Sequence, residues 1–448
     1  MRVFLLIILS LFITINKTFA YELILPKEKR VTVDTNYALF MGEARKNEGL
    51  MINDKKVYIA PNGAFTHSVK LKDGENRILI KSNYDYSVQV YRIFKNEKKE
   101  SSEPNLNEFE PRTYKVKKDN APLRSTPNGY GMNRIAHLFE GTNLLIDAEK
   151  GEFYRVRLTS EKFAWISKSY VEESSLDAIP KFITMNSKTF KNASEHVIEF
   201  TGKLPYTIEE NFDEMVFKVY NPFLIEDAVY TVNIRNPKKY TYRTNLCNGI
   251  YYLKVSEVMI ENSKTLDGLT ITIDAGHGGS EKGAIGCLGD KEKDINLAVA
   301  TELKNRLCLL GANVVMTRDK DEKVSLDKRV ELARENCSNI FVSIHLNSIP
   351  DVEFDNQKHK GTSVYYYNKN SKKLAESIKS SVISGLGTKD DGVKTASFAV
   401  IRPTEYIGVL VELAYMINPN DSLLYTTEDF IIKSANSITD GILKFIEE

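Results

Sequence analysis

The pattern of apolar and polar residues changes character near residue 264. Before it, short runs alternate between apolar and polar positions, as in Val57 to Ile59, Phe65 to Leu71 and Arg77 to Ile80. Such alternation is typical of strands with one buried face. The turn dipeptides Asn62-Gly63 and Asp73-Gly74 flank these runs and predict hairpins. The region from Tyr21 to about Phe94 is therefore predicted to be all-β, and an immunoglobulin-like sandwich fits best.

After residue 264, apolar runs of strand length alternate with stretches of helical periodicity. The predicted strands lie near 270–274, 313–316, 340–344, 362–367 and 408–412, and the predicted helices near 292–310, 325–336, 371–384 and 428–446. Repeated β-then-α order favours a twisted, mostly parallel sheet with helices on both faces. The fold class predicted for the chain is multi-domain, with a C-terminal α/β domain preceded by three small, mainly β domains.

The predicted domain boundaries follow changes in composition. A chain of 448 residues is too long for one hydrophobic core. The predicted segments are a signal peptide at 1–20, a β-sandwich-like domain at 21–94, a polar linker at 95–111, a short β domain at 112–173, a strand-rich domain of uncertain type at 174–263 and the α/β domain at 264–448.

The first twenty residues have the features of a secretory signal peptide. Arg2 provides the positive end, Val3 to Ile15 is apolar, and Thr18-Phe19-Ala20 places small residues at a cleavage site. The alternative, an uncleaved membrane anchor, is less favoured because an apolar run of about 13 residues is short for a membrane span. No other apolar run approaches 18 residues. Export to the periplasm or to the cell wall and extracellular space is predicted, with no membrane span after cleavage.

Charge and cysteine content exclude several classes of function. The formal net charge is +1, and loss of Arg2 and Lys17 with the signal peptide leaves about −1, which argues against a nucleic-acid binder. The spacing of Cys247, Cys287, Cys308 and Cys337 matches neither a zinc finger nor a redox pair. We interpret them as isolated buried thiols, with a Cys308–Cys337 disulfide or a Cys287 nucleophile as less favoured alternatives.

Four residues that could bind a metal or take part in catalysis lie where predicted strands end or helices begin. His277 follows a β-branched run and is flanked by glycines, Glu292 precedes a helix, and His345 and Glu412 end apolar strands. Ligands of open α/β sheets bind outside the carboxyl ends of the strands. Two imidazoles and a carboxylate match a catalytic zinc site, although iron and manganese accept related sets. A further carboxylate nearby would serve as general base.

The region from Leu269 to Glu448 resembles the zinc-dependent N-acetylmuramoyl-L-alanine amidases of bacterial cell walls (Amidase_3). The matching stretches, in family order, are Asp274 to Gly279, Glu292 to Leu297, Thr317 to Asp319, Ser343 to Asn347 and Val411 to Leu413. The resemblance implies one zinc ion per catalytic domain, held by His277, Glu292 and His345, with Glu412 as the catalytic carboxylate. It also implies cleavage of the peptidoglycan amide between muramic acid and L-alanine. The chain departs from the common family pattern at Ala275 and after Glu412, where Leu413-Ala414-Tyr415 stands.

Residues 112–173 resemble bacterial SH3-like domains, through Ala121 to Pro127, Glu140-Gly141-Thr142 and Ala164-Trp165-Ile166. The resemblance implies that this domain binds peptidoglycan and that the side chain of Trp165 contacts it. The alternative is that Trp165 packs in the core of the small barrel. Asn347 and His359 are the other candidate substrate contacts, with a plain loop histidine as the alternative for His359.

Some members of the family that this region resembles carry an inhibitory helix inserted in the catalytic domain. The segments after His345 and after Ser371 are too short to contain such a helix. Inhibition of the enzyme would therefore come from the N-terminal domains, or its regulation from a partner such as an activator protein. Two other functions stay open: a zinc peptidase acting on the peptide stem, and a wall-binding scaffold with an inactive catalytic domain. The residues of the metal site serve either amide bond equally well.

Overall fold

The computed structural model describes residues 20–46, 49–97, 103–211, 213–258, 265–349 and 351–448. The apolar part of the predicted signal peptide lies outside these residues. Within them, no helix has both the length and the apolar character that a bilayer span requires. The chain divides into two compact units: residues 1–98 with 287–289 and 349–355, and the remainder.

The first unit contains two small sheets. Its strands are β1 Tyr21–Leu25, β2 Arg30–Val33, β3 Tyr37–Ala44, β4 Met51–Ile52, β5 Lys55–Lys56, β6 Ala64–Lys70, β7 Gly74–Lys81 and β8 Val88–Lys95. The sheet orders are β1-β3-β6 and β2-β8-β7-β4-β5. Phe40 and Phe65 from one sheet and Ile80 and Ile93 from the other are buried in a common core, the arrangement of a sandwich.

Two details of the predicted hairpins are wrong. Asp73-Gly74 does connect two strands, but β6 pairs with β3 and β7 pairs with β8, so the turn joins two sheets and forms no hairpin. The run from Val57 to Ile59 is not a strand, since only Ile59 makes a single bridge, to Phe65. Turn chemistry specifies that the chain bends, whereas the partners of the strands after the bend depend on long-range packing.

The second unit begins with two strand-rich regions. The strands of the first are β9 Leu106–Val116, β10 Ala121–Arg124, β11 Arg134–Leu138, β12 Asn143–Lys150, β13 Phe153–Arg157, β14 Phe163–Ser167 and β15 Val171–Glu173, and those of the second are β16 Phe182–Thr189, β17 Ala193–Phe200, β18 Tyr206–Glu210, β19 Glu214–Asn221, β20 Ala228–Arg235, β21 Tyr240–Cys247 and β22 Ile250–Glu257. The first forms one seven-stranded sheet, and the second forms sheets of four and three strands. Their apolar faces join in one core cluster.

The interpretation of residues 106–111 as linker is wrong, because β9 begins at Leu106 and pairs with the antiparallel strand β12, with Leu106 opposite Lys150. Most side chains between Leu106 and Arg112 are exposed. A strand that is exposed on both faces lacks the apolar alternation from which strands are recognised, so its sequence reads as polar linker.

The C-terminal region is a mixed α/β sheet. Its elements are β23 Thr270–Ala275, α1 Glu292–Leu309, β24 Asn313–Met316, α2 Leu326–Glu335, β25 Ile340–Asn347, β26 Thr362–Tyr366, α3 Lys372–Leu386, β27 Asp390–Thr395, β28 Ile407–Tyr415, α4 Ser422–Tyr425 and α5 Glu428–Glu447. The strand order is β24-β23-β25-β28-β26-β27. Neighbouring strands are parallel except for β26 and β28. The predicted mostly parallel α/β sheet is therefore observed.

Helices cover both faces of this sheet. Val342 and Val409 pack in a large cluster with residues of α1, α3 and α5. Phe341 and Leu410, one position along the same strands, pack in another cluster with Ala333 of α2. Because successive side chains of a strand point to opposite faces, the two clusters lie on opposite sides of the sheet.

Two elements of this region were not predicted, the edge strand β27 and the short helix α4. The strand reads Asp-Asp-Gly-Val-Lys-Thr, which contains no run of apolar residues. An edge strand exposed to solvent needs little apolar character, and charged residues there protect it from pairing with other chains.

Candidate metal and catalytic site

Three adjacent strands bring the predicted site residues together. β23, β25 and β28 are neighbours in the sheet and run parallel, so their carboxyl ends meet at one edge. His345 on β25 and Glu412 on β28 are direct register partners. His277 follows the end of β23, and Glu292 is the first residue of α1. The residues that the sequence placed at strand and helix ends therefore converge.

One carboxylate oxygen lies between the two imidazoles. Glu292 Oε1 is 3.1 Å from His277 Nε2 and 2.8 Å from His345 Nδ1. One candidate ligand atom from each of the three residues lies within 4.8 Å of the others. Zinc binds nitrogen and oxygen at about 2.0–2.1 Å, which sets tetrahedral ligands about 3.3 Å apart. The donor types and their spacing thus fit a zinc ion with an open fourth position.

Backbone amides and the imidazoles keep Glu292 ionised. Its side chain is only 4% exposed. Its oxygens accept hydrogen bonds from Ala284 N at 2.8 Å and Leu346 N at 3.2 Å. Burial alone would raise the pKa of Glu292, but hydrogen bonds to His277 and His345 outweigh it and hold that pKa well below its usual range. Glu292 is therefore an anion at neutral pH, the state that a metal ligand requires.

The contact with Glu292 raises the pKa of His345. Burial alone would lower its pKa, but the hydrogen bond to Glu292 and the charges of Glu292 and Glu412 outweigh it and raise the pKa of His345 to about 8. An imidazole must lose its proton to coordinate a metal. Proton and metal therefore compete for this nitrogen, and metal affinity should increase with pH.

The glycines around His277 leave room for the site. His277 itself has a φ of 62°, a left-handed conformation that non-glycine residues seldom adopt. A Cβ on Gly276 would lie 2.3 Å from the ring of His345, and a Cβ on Gly283 would lie 2.5 Å from Glu292 Oε2. Neither position can carry a side chain while the cluster keeps this geometry. Glycine at these positions is thus required by close approach to the candidate ligands.

Two buried arginines hold the loop that carries His277. Arg329 bridges to Asp274 at 2.5 Å and donates to the carbonyl of His277 at 2.7 Å. Arg318 donates to the carbonyls of Ala275 and Gly276 at 2.8 and 3.0 Å. Their hydrogen bonds therefore position a candidate ligand.

Glu412 lies beside the cluster with one oxygen unused. Within the described residues, its Oε2 is buried and has no hydrogen-bond partner. Burial and the charge of Glu292 raise the pKa of Glu412 to about 7, against the opposing charge of His345. A carboxylate with a pKa near neutrality and a free acceptor oxygen is suited to general acid–base catalysis.

The region that contains this site matches a known protein family. A family model described as N-acetylmuramoyl-L-alanine amidase matches residues 271–444. The uncharacterized protein YqiI of Bacillus subtilis (strain 168) is 38% identical over 190 residues, which make up 42% of this chain and 89% of YqiI. The chain belongs to the N-acetylmuramoyl-L-alanine amidase family.

Other relatives match the same region. The N-acetylmuramoyl-L-alanine amidase LytC of Bacillus subtilis (strain 168) is 38% identical over 182 residues, which cover 40% of this chain and 36% of LytC. The solved structure of the amidase AmiC2 of Nostoc punctiforme is 34% identical, with 41% of this chain and 99% of that chain covered and a TM-score of 0.38. The match to LytC is thus confined to about a third of that protein.

The amidase-family region contains two of the three candidate substrate contacts. Asn347 is the last residue of β25, in register with Tyr415, and its carbonyl accepts from Met416 N at 2.9 Å. His359 lies in the loop before β26, where its carbonyl accepts from Asn418 Nδ2 at 2.7 Å. Both therefore contribute backbone contacts that order the loops after His345 and Glu412, and their roles towards substrate stay predictions.

Trp165, the third candidate, lies on β14 in the seven-stranded sheet. Its neighbours Ala164 and Ile166 are fully buried, whereas Trp165 is only partly buried. Because side chains alternate along a strand, Trp165 points to the face opposite the core. The alternative of a barrel-core tryptophan is therefore wrong, and a role in binding peptidoglycan stays a prediction.

The cysteines take no part in the candidate site. All four are free thiols, so the Cys308–Cys337 disulfide is not formed. The interpretation as buried thiols is wrong for three of them, since only Cys287 is buried. Cys287 Sγ lies 3.2 Å from Thr66 Oγ1, in a small cluster with Ala60 and Ala64 in the first unit. This packing leaves no role for Cys287 as a nucleophile.

The sequence did not reveal a polar group that extends from β27 towards Glu412. Asp391 accepts from Tyr415 Oη and Lys394 Nζ, both at 2.7 Å. The positive charge of Lys394 acts on Glu412 and opposes the rise of its pKa. The departure at Leu413-Ala414-Tyr415 was visible in the sequence, but its partners lie on the edge strand that was not predicted.

Proposed function

We propose that this protein is an exported, zinc-dependent N-acetylmuramoyl-L-alanine amidase that cleaves the amide between N-acetylmuramic acid and L-alanine in peptidoglycan. The observation that carries the proposal is the convergence of His277, Glu292 and His345 beside the unpaired oxygen of Glu412, inside the region that matches the family. Cell-wall remodelling or cell separation is the role that this reaction would serve.

The three converging residues would hold zinc through His277 Nε2, Glu292 Oε1 and His345 Nδ1. When bound, zinc would lower the pKa of a water molecule at the site and would polarise the amide oxygen of the substrate. Ligands from separate loops need a rigid support, which Arg318 and Arg329 give to the His277 loop through the carbonyls they bind. The helix start at Glu292 is fixed by the amides of Ala284 and Leu346.

Glu412 would transfer the proton. It accepts a proton from the attacking water and delivers it to the nitrogen of the leaving L-alanine, which cannot depart as an amide anion. Its position in register with His345 supports this role, because it sets the carboxylate next to the candidate metal ligands. The unpaired Oε2 is the atom available for this exchange.

Mass spectrometry of digested peptidoglycan tests the proposal. We expect glycan chains without peptides, together with complete peptides that carry a new L-alanine amine. Peptides cut within the stem would identify a zinc peptidase instead, and sacculi that are bound but not cleaved would identify a scaffold. Glu412→Gln protein is the matched control, and in the same time it should release at most about one hundredth of the peptide that the wild-type protein releases.

A further inference from the structure

A wide cleft opens in the second unit away from the candidate catalytic site. Its volume is about 1270 Å³, and it is lined by β11, by β21 and by the segments around α2, Tyr367 and Arg402. His277, Glu292, His345 and Glu412 do not line it. Ligand pockets usually have volumes of roughly 300–1,000 Å³, so this cleft can hold a ligand of several residues.

The walls of the cleft are joined by hydrogen bonds. Tyr206 Oη donates to the carbonyl of His137 at 2.7 Å. Tyr242 and Thr404 exchange two hydrogen bonds of 2.8 Å each, one through the backbone amide of Tyr242 and one through the hydroxyl of Thr404. The strand-rich part and the α/β part therefore form a continuous, built surface around the cleft.

Two arginines in this cleft lack a carboxylate partner. Arg134 Nη1 donates to His137 Nε2 at 3.2 Å, and Arg402 Nη1 donates to the carbonyl of Ser397 at 2.7 Å. In the part of the chain that the structure describes, neither forms a salt bridge with an acidic side chain, and the charge of Asp327 acts on Arg402 from beyond salt-bridge distance. Arg334, also in the cleft, is different, since it bridges to Glu405 at 2.9 Å. Arg134 and Arg402 thus offer free guanidinium donors.

The two guanidinium groups are close enough to repel one another. Both are partly buried, and the charge of the buried Arg124 also acts on Arg402. Desolvation and then the charge of Arg134 lower the pKa of Arg402. Burial and the charges of Arg134, Arg402 and Arg124 also lower the pKa of His137, to about 4, so His137 adds no charge at neutral pH. An anion between the arginines would offset this repulsion.

The lining of the same cleft carries charges of both signs besides the arginines. Asp119, Glu140 and Asp327 contribute exposed carboxylates, and Lys203 and Lys369 contribute amines. A short peptide that carries both carboxylate and ammonium groups would satisfy the arginines and the exposed carboxylates together.

We infer that Arg134 and Arg402 bind a carboxylate of a short zwitterionic peptide in this cleft. Arginine suits this role because its planar fork binds both oxygens of a carboxylate. The identification of this peptide with the stem peptide of peptidoglycan rests on the proposed function. The cleft would then retain peptidoglycan at a point separate from the bond that is cleaved.

Isothermal titration calorimetry with the full chain and the tripeptide L-alanyl-glutamyl-lysine tests this inference. We expect saturable binding that weakens at least tenfold in the double variant Arg134→Gln/Arg402→Gln. Arg334→Gln is the matched control, because Arg334 is already paired, and it should change the affinity less than twofold. Arg402→Lys keeps the charge without the fork and should fall between them, which separates loss of binding from loss of folding.

Three results would overturn the inference. These are absence of binding to the wild-type chain at millimolar peptide, equal loss in Arg334→Gln, and equal affinity for the peptide with both carboxylates amidated. Inorganic phosphate that binds as tightly as the tripeptide would also count against a peptide site. Because no turnover is measured, a chain that digests sacculi without binding the tripeptide contradicts only this inference, and the reverse result contradicts only the proposed function.

Discussion

His345 and Glu412 are register partners on the adjacent parallel strands β25 and β28. The pairing sets an imidazole that contacts Glu292 beside a carboxylate with one unpaired oxygen. A parallel ladder holds such partners at fixed separation without any contribution from loops. One candidate metal ligand and the candidate proton carrier are therefore positioned relative to each other by the sheet itself.

His345→Ala should remove most of the bound zinc, because two remaining protein ligands hold the ion poorly. Inductively coupled plasma mass spectrometry of the purified protein measures the metal content. His359→Ala is the matched control, since it removes a histidine of the same region that lies outside the cluster of ligand atoms. Stoichiometric zinc in His345→Ala would refute the assignment of this ligand.

Glu412→Gln should lower kcat by roughly 10²- to 10⁴-fold, the usual contribution of a general acid–base group. Glutamine keeps the shape of the side chain and loses only the proton acceptor, so zinc content and thermal unfolding should stay unchanged. Release of peptide from sacculi gives the rate, and metal analysis gives the occupancy. If the variant loses its zinc, Glu412 is a ligand and not the base.

Gly276→Ala should weaken zinc binding by at least tenfold without altering any charge. The added Cβ would approach the His345 ring to 2.3 Å, so either the ring or the His277 loop must move. Gly129→Ala is the control, because a Cβ there would meet no atom within 4 Å. Competition with a chromogenic chelator measures both affinities, and equal values would show that the cluster tolerates displacement.

His137 should make the protein less stable as the pH falls from about 6.5 to about 4. Its pKa is lowered to about 4 in the folded state by burial and the neighbouring arginines. An unfolded chain binds a proton at this residue near pH 6.5, so falling pH favours unfolding over this window and stability is fully present above it. Urea unfolding at several pH values measures the free energy.

His137→Gln should flatten this dependence between pH 6.5 and 4 while leaving stability near pH 8 changed by a small, constant amount. Glutamine retains an acceptor for Arg134 and cannot be protonated. Other titrating groups contribute equally to both proteins, so the difference between the two curves isolates residue 137. Parallel curves would show that His137 is protonated as readily in the folded chain as in the unfolded chain.

Much of the C-terminal fold could be predicted from the sequence alone. The strands near 270–274, 340–344 and 408–412 and the helices near 292–310 and 428–446 lie within a few residues of the observed elements. Buried parallel strands are apolar throughout and helices repeat with a fixed period, so both leave a local pattern. The residues at the ends of those elements were recognisable for the same reason.

Elements without a local apolar pattern could not be predicted. The start of β9 is exposed and polar, and β27 is polar and only partly buried. Both are strands only because a neighbouring strand supplies hydrogen bonds. Trp165 points away from the core because the sheet closes on the side of Ala164 and Ile166. In each case the decisive interaction is with residues distant in sequence.

The sequence by itself determined which residues are available for chemistry, because His277, Glu292, His345 and Glu412 follow recognisable strands and helix starts. Only the tertiary structure decided that one oxygen of Glu292 lies between two imidazoles and that Arg134 and Arg402 line one cleft, where neither forms a salt bridge within the described residues. Local patterns depend on neighbours three or four positions away. Ligand geometry and unpaired charge depend on which distant segments the folded chain brings within a few ångströms.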